Sequence, residues 1–172
     1  MWVEDRMEHL TAASSATGRL TKIKASIDDQ GTIHALDYDQ IDDVGAYPRA
    51  PEPASLYRMH GNLSGAYKVK NIRCRNRVIL TNKTPSGLNR GFGGPQHYFA
   101  LERLVHQIAV ELKLNVLDVI KINLLEKNQF PYKSPSGALL DSGNFQKLLK
   151  KVIESSTYKK ILKNKINSIK NG

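Results

Sequence analysis

One stretch of the sequence combines residue types that could hold a small anion or a cofactor with a spacing suited to that task. Residues 90–96 read Arg-Gly-Phe-Gly-Gly-Pro-Gln and thread one arginine and one phenylalanine among three glycines. Glycine gives the backbone angles and close approaches that other residues do not reach. Pro95 suits the first turn of a helix, whose unpaired amides point back at the loop. The residues alone indicate either a cradle for an anion or cofactor or a simple tight turn.

The other potentially reactive side chains form no catalytic or metal-binding pattern. Cys74, the single cysteine, lies in an alternating, strand-like stretch, which favours a buried thiol over a nucleophile. The histidines lack the spacing of metal ligands, so we expect no metal held by side chains; they are His9, His34, His60, His97 and His106. The chain has one cysteine, no signal peptide at its start and no apolar run of about 18 residues. We therefore expect a cytoplasmic protein.

The elements that must position this loop are predicted from apolar periodicity. The chain of 172 residues suits one compact α+β unit, with a β-hairpin and mixed strands in the first half and packed helices in the second. Turn residues 28–31 separate the two strands of the hairpin. Residues 2–10 are predicted to be the end of a strand that runs into a short helical turn. Further strands are predicted at 19–25, 32–39 and 72–81. The predicted helices are 101–112, 116–124, 145–153 and a basic amphipathic tail, 157–172, with an irregular loop at 131–143.

Charge divides the chain unevenly. Residues 1–65 carry a net charge of −4 and residues 66–172 a net charge of +14, and five lysines fall in the last sixteen residues. This asymmetry indicates either an ordinary solvated basic surface or an anionic partner. The partner would be a nucleic acid, a phosphate-bearing cofactor or an acidic protein surface.

Five segments, in order, carry a resemblance to a known family, and they cover residues 2 to about 156. The segments are Trp2–Leu10, Tyr67–Arg73, Thr81–Pro85, residues 90–96 and Asp141–Phe145. They resemble the large, molybdenum-binding subunit of the xanthine dehydrogenase, aldehyde oxidase and CO dehydrogenase family, and the glycine loop is very close to the xanthine dehydrogenase form. The resemblance makes residues 1–156 part of a molybdopterin-binding domain and leaves 157–172 as a basic helix or tail.

The resemblance implies an oxidoreductase that hydroxylates an electron-poor carbon with water as the oxygen donor. A molybdenum–molybdopterin cofactor, in the cytosine dinucleotide form of most prokaryotic relatives or in the plain form, supplies that chemistry. A glutamate acts as the base. Electrons leave through 2Fe-2S clusters, usually to FAD, which the resemblance places on partner subunits.

The resemblance also assigns roles within the loop. The backbone amide of Arg90 would donate to an oxygen ligand of the metal, and Gly91 would let the backbone approach. Phe92 would stack on a flat substrate, although an ordinary core aromatic is the alternative. Gly93 and Gly94 would continue the tight path, and Gln96 would open the helix.

Position 91 bears on the substrate class. The CO dehydrogenases carry a copper-binding cysteine there, within an Arg-Cys-Ser-Phe-Arg loop, whereas this chain has Gly91 and no cysteine nearby. The resemblance therefore favours an aldehyde or N-heterocycle hydroxylase.

Arg58 is a further candidate for substrate binding. An ungapped count back from the loop puts it where xanthine dehydrogenases hold a substrate-orienting arginine. The surrounding residues match poorly, so a surface arginine is the alternative. A guanidinium there would favour a purine-like or carboxylated substrate.

Two motifs of the family are missing from the chain. A Phe-Gly-Gly-Lys segment is expected upstream of Trp2, and the catalytic glutamate far downstream of Gly172. We therefore expect a split subunit, a truncated product or an excised piece that is inactive alone. The competing hypothesis is a binding or assembly module whose basic half grips nucleic acid or a partner protein. The low aromatic content, 7%, argues against single-stranded nucleic acid.

Overall fold

The structure, a computed structural model, describes residues 1–14, 16, 18–50, 58–88 and 90–171, with no description of the side chains of 58, 59, 170 and 171. In chain order the elements are α1 (Arg6–Ala12), β1 (Gly18–Ile27), β2 (Ile33–Asp43), a 3-10 turn (Arg58–Asn62), β3 (Asn71–Ile79), α2 (Gly94–Glu111), α3 (Val116–Asn123), a second 3-10 turn (Lys127–Gln129), β4 (Tyr132–Lys133), β5 (Leu139–Leu140), α4 (Phe145–Glu154) and α5 (Ser156–Asn171).

The hairpin predicted from the sequence is present. β1 and β2 are antiparallel, with Leu20 opposite Ile41. The carboxylate of Asp28 accepts hydrogen bonds from the amides of Gln30 and Thr32, which closes the turn. The side chain of an aspartate commonly stabilises a turn in this way.

β3 completes a three-stranded mixed sheet in the order β1-β2-β3. It runs parallel to β2, with Tyr38 beside Cys74 and Gln40 beside Asn76. Side chains alternate between the two faces of a strand, so one face of this sheet is buried and the other carries charged side chains such as Lys24 and Arg73.

Helices α2 and α3 cover the buried face of the sheet. Their predicted apolar stripes reach the core, which confirms the sequence-based assignment of both helices. The buried apolar cluster comprises Ile33, Leu36, Tyr38, Leu63, Tyr67, Val69, Leu101, Val105, Ile108, Ala109, Val119 and Leu124. The sheet and these helices therefore share one core, and the α+β prediction is confirmed.

Asn123 joins the end of α3 to the hairpin. Its side-chain oxygen accepts from the amide of Ile33 at 2.8 Å, and its nitrogen donates to the carbonyls of Gly31 and Val119, each at 2.8 Å. The residue is 1% exposed. One buried amide thus satisfies three backbone groups that water does not reach.

Two details differ from the sequence-based prediction. Residues 2–5 precede α1 without belonging to a strand, because no described strand lies beside them to form a hydrogen-bonded ladder. The segment 131–143 is not wholly irregular, since Tyr132 and Lys133 pair with Leu140 and Leu139.

α4 lies where the sequence predicts a helix at 145–153, and α5 covers the C-terminal segment. α5 begins at Ser156, and its apolar residues Ile161, Ile166 and Ile169 remain exposed. No helix in the described ranges is long and apolar enough to cross a lipid bilayer.

We predict that Asn123→Ala lowers the free energy of unfolding by about 2–4 kcal/mol, because it leaves the amide of Ile33 and the carbonyl of Gly31 buried without a partner. Urea unfolding followed by circular dichroism measures the change. Asn128 is exposed in the second 3-10 turn, so Asn128→Ala serves as the control, with a change within about 0.5 kcal/mol. Equal losses in the two variants would contradict this role for Asn123.

Candidate functional site

The glycine loop forms a turn of unusual backbone conformation. Three consecutive residues have positive φ angles: 93° at Gly91, 45° at Phe92 and 82° at Gly93. The left-handed region costs a residue with a Cβ about 1–2 kcal/mol, and Phe92 adopts it without being glycine. Strain of this kind persists only where surrounding structure fixes the backbone, and it occurs preferentially at functional sites.

Hydrogen bonds connect the turn to the start of α2. The amide of Gly94 donates to the carbonyl of Gly91 at 2.8 Å, and the amide of His97 donates to that of Gly93 at 3.2 Å. Gly93 is the left-handed residue directly before the helix, and Pro95 lies in its first turn. Within the described residues, the amides of Gly91 and Gly93 have no hydrogen-bond acceptor. The loop can therefore offer backbone donors to a ligand.

Position 91 needs a glycine both because its φ angle is positive and because the helix leaves no room for a side chain there. A Cβ placed on Gly91 would lie 2.8 Å from Cδ and 3.0 Å from Cγ of Pro95. Any larger residue would push the loop away from the proline ring. The glycine and the proline therefore fix the close approach of loop and helix together.

His97 anchors the first turn of α2 in the core. It is fully buried, and its Nε2 donates to the carbonyl of Leu63 at 3.0 Å. The hydroxyl of Tyr38 donates to the same carbonyl at 2.9 Å, and the rings of Tyr38 and His97 are 5.0 Å apart. Burial lowers the pKa of His97, which keeps the ring neutral. The loop is thereby held against the middle strand of the sheet.

A buried ion pair lies beside this anchor. Arg19 on β1 donates from Nε and Nη2 to the two carboxylate oxygens of Asp42 on β2, at 2.6 and 2.9 Å. Asn76 on β3 donates to the same carboxylate at 2.8 Å. Both charges are buried, and the hydrogen bonds offset part of their desolvation.

A groove of about 840 Å³ runs between β1 and α2. Arg19, Pro95, Gln96 and Phe99 are among the residues that line it. Phe99 is 71% exposed. The groove reaches Pro95 and Gln96 in the first turn of α2, directly after the turn at residues 91–93.

The structure brings together six of the residues that the sequence singled out. Arg90, Gly91, Phe92 and Gly93 form the turn, and Gly94 and Gln96 lie in the first helical turn, since α2 begins at Gly94. Arg90 is exposed and Phe92 is half-buried. The backbone of Arg58 begins the first 3-10 turn, but its side chain lies outside the described part of the structure.

The other side chains that the sequence singled out as potentially reactive are Cys74 and the histidines. Cys74 is half-buried on β3, and burial raises the pKa of its thiol, which makes it a poor nucleophile. Among the described residues, no three His, Cys, Asp or Glu side chains form a metal-binding group. His97 and the Arg19–Asp42 pair had no signal in the sequence, because their partners lie on other strands and loops.

Residues 1–124 match the model of the molybdopterin cofactor-binding domain. The chain belongs to this family. The resemblance drawn from the five ordered motifs is thereby confirmed, and so is the assignment of a molybdopterin cofactor to this domain. The chain spans about a fifth of the length of the curated relatives that it matches.

Two of the curated relatives are named as a large chain and a large subunit. The carbon monoxide dehydrogenase large chain of Hydrogenophaga pseudoflava is 28% identical over 163 residues, which is 91% of this chain and 20% of that protein. The nicotine 6-hydroxylase large subunit of Paenarthrobacter nicotinovorans is 26% identical over 174 residues, 99% of this chain and 21% of that protein.

A solved structure has the same fold over nearly the whole chain. The quinoline 2-oxidoreductase of Pseudomonas putida 86 superposes with a TM-score of 0.88 at 25% identity, covering 99% of this chain and 22% of that one. The match extends beyond residue 124, so helices α4 and α5 also follow the architecture of that enzyme.

We predict a graded effect of alanine at three glycines. Gly91→Ala combines a left-handed φ with a steric clash and should lower the free energy of unfolding by about 2 kcal/mol or more. Gly137 has a φ of 105° but no atom within 4 Å of the place that a Cβ would occupy, so Gly137→Ala should cost about 1 kcal/mol. Gly61 has open space and no positive φ, so its alanine variant should change little. Urea unfolding of the three variants gives the order, and an equal loss at 91 and 137 would contradict the clash with Pro95.

We predict an acid-dependent loss of stability that involves His97. Its ordinary pKa is 6.5, and burial lowers it in the folded chain. Below about pH 6.5 the unfolded chain binds the proton first, so stability is complete above that pH and falls as the pH drops through the lower folded pKa. Burial of His60 acts in the same direction.

The test compares urea unfolding at several pH values in the unmodified chain and in His97→Gln. Glutamine can donate to Leu63 but does not titrate, so the variant should lose less stability on acidification. His106→Gln, at an exposed position, is the control and should behave like the unmodified chain. An identical loss in His97→Gln and the unmodified chain would count against the buried neutral histidine.

Proposed function

We propose that this chain forms one wall of the cofactor and substrate pocket in the large subunit of a molybdenum hydroxylase. The left-handed turn at residues 91–93 carries this proposal, because its strained backbone is held by contacts with the start of α2 and leaves the amides of Gly91 and Gly93 without acceptors in the described residues. The chain spans about a fifth of its curated relatives. Residues elsewhere in such a subunit would complete the pocket, and the chain alone would be inactive.

The residues present fit a molybdopterin cofactor. Backbone N–H groups at Gly91 and Gly93 lack acceptors within the described chain, and a cofactor with oxygen ligands supplies acceptors. When bound, the cofactor would supply hydroxylation with oxygen from water. The backbone of Arg90 would donate a hydrogen bond toward an oxygen ligand, and the fixed turn would hold that donor without rearrangement. Gly91 would allow the approach, and Gly94 and Gln96 would continue the wall into α2.

For the substrate we favour a flat N-heterocycle, with an aldehyde as the second candidate. Two of the matched relatives are named for nicotine and quinoline. Phe92 is half-buried in the turn, and an apolar ring face would orient a flat substrate without competing for its polar edges. The similarity to a carbon monoxide dehydrogenase does not extend to the expected copper-binding cysteine, since position 91 is glycine. We retain Arg58 as a candidate for binding a carboxylate or purine edge.

Several finer features belong to the same proposal. The cofactor would be the cytosine dinucleotide form, and 2Fe-2S and FAD groups would lie on partner subunits in the cytoplasm. We propose that residues 1–156 make up the partial cofactor domain and that 157–172 form a basic docking helix. The exposed isoleucines of α5, set among lysines, suit a helix that packs against another part of the enzyme.

The experiment compares the isolated chain with the assembled enzyme that contains it. We expect no molybdenum and no dye-linked oxidation of quinoline, nicotine, aldehydes or purines by the isolated chain. The assembled enzyme should contain molybdenum and oxidise at least one of the heterocycles. Turnover by the pure chain would refute the incomplete pocket, and an assembled enzyme without molybdenum would refute the function.

We predict that Phe92→Leu in the assembled enzyme raises KM for a flat heterocycle roughly 2- to 10-fold, because aromatic contacts contribute about 0.5–1.5 kcal/mol. The molybdenum content should not change. Phe130→Leu is the control, because Phe130 lies outside the glycine loop and its ring packs edge-to-face on that of Phe145, with 5.6 Å between the ring centres. It should lower stability and leave KM unchanged. An unaltered KM in Phe92→Leu would remove the stacking role.

A further inference from the structure

The inner face of the sheet changes from apolar to polar along its strands. Leu36 and Tyr38 on β2 belong to the apolar core, whereas Gln40 and Asp42, further along the same face, are polar and fully buried. Across the sheet, Gln40 lies between Thr21 on β1 and Asn76 on β3. The sheet therefore has a polar floor at the end of β2, next to the Arg19–Asp42 ion pair.

Four buried polar atoms around this floor have no hydrogen-bond partner in the described part of the chain. They are Gln40 Nε2, Asn76 Oδ1, His60 Nε2 and His97 Nδ1. The other polar atoms of the same side chains are engaged where the chain offers a partner, as in the bond from Asn76 to Asp42. Leaving a buried polar atom unpaired is costly, and native proteins seldom do so.

Strand pairing and a ring contact link three of the four side chains. His97 stacks beside Tyr38, which precedes Gln40 by two residues on the same face of β2. Burial and then the charge of Arg19 lower the pKa of both His60 and His97. Gln40 and Asn76 thus lie on the sheet side of the ion pair, and His97 lies on the side of α2.

The chemistry of the four atoms identifies the ligand class. Gln40 Nε2 is a donor and Asn76 Oδ1 an acceptor, and His97 Nδ1 accepts because Nε2 donates to Leu63. A free anion would face Asp42 and a free cation would face Arg19. The described residues offer no set of three metal-binding side chains here or elsewhere. A small neutral molecule that both donates and accepts fits all of these groups.

We propose that this polar floor is a buried hydration site in which ordered water molecules bridge Gln40 and Asn76 to His60 and His97. A buried water typically makes about three hydrogen bonds, so one or two waters would satisfy the four atoms. The waters would connect the sheet to the first turn of α2 and so help to fix the glycine loop. The site is structural and does not depend on the activity of the enzyme.

The first test uses Gln40→Met in the full chain, with Gln107→Met as the control. Methionine has a similar volume but no hydrogen bond to give. If waters are bound, the substitution deprives them of a partner, and the urea midpoint of Gln40→Met falls relative to the unmodified chain. If Gln40 is merely unpaired, removing its amide relieves a desolvation cost, and the midpoint stays or rises. Gln107 is exposed on α2, so its variant corrects for the general effect of methionine.

The second test is a crystal structure at a resolution that shows ordered waters. The proposal predicts at least one water within about 3.2 Å of both Gln40 Nε2 and His97 Nδ1. A direct hydrogen bond between the amides of Gln40 and Asn76 with no enclosed water would overturn it. So would a dry cavity, or a midpoint of Gln40→Met that does not fall.

Discussion

The left-handed backbone path through Gly91, Phe92 and Gly93 is the constraint on which the rest of the site depends. Such a path is unfavourable by itself, and three contacts hold it in place. The amide of Gly94 bonds back to Gly91, and the ring of Pro95 packs closely against that glycine. His97, one turn further on, fixes the helix to Leu63 and to the middle strand of the sheet. The fold thus holds a glycine-rich sequence in one fixed turn.

The sequence predicted those parts of the structure that follow from local periodicity. The hairpin, β3 and the helices around Leu101, Val119 and Leu149 agree with the apolar spacing, because each element buries one face. The motif at residues 90–96 located the candidate site. The strand predicted before α1 was wrong, since a strand depends on a neighbour that local sequence does not reveal. For the same reason no pattern disclosed His97 as an anchor or Gln40 as part of a buried polar floor.

Several large apolar side chains remain exposed outside the core. Trp2 before α1, Met7 on α1, Phe99 on α2 and Ile169 on α5 are all mostly exposed. The chain corresponds to about a fifth of its relatives, and we expect such side chains to pack against the remainder of a subunit. The loop and its groove would then be enclosed by residues from outside this chain.

The most direct test is a structure of the assembled, cofactor-loaded enzyme that contains this chain. The proposed arrangement predicts that the backbone amide of Arg90 lies about 3 Å from an oxygen ligand of the molybdenum, with Phe92 facing the substrate space. The turn at residues 91–93 would keep its left-handed path. A loop that faces solvent, or a cofactor bound elsewhere, would contradict the central claim.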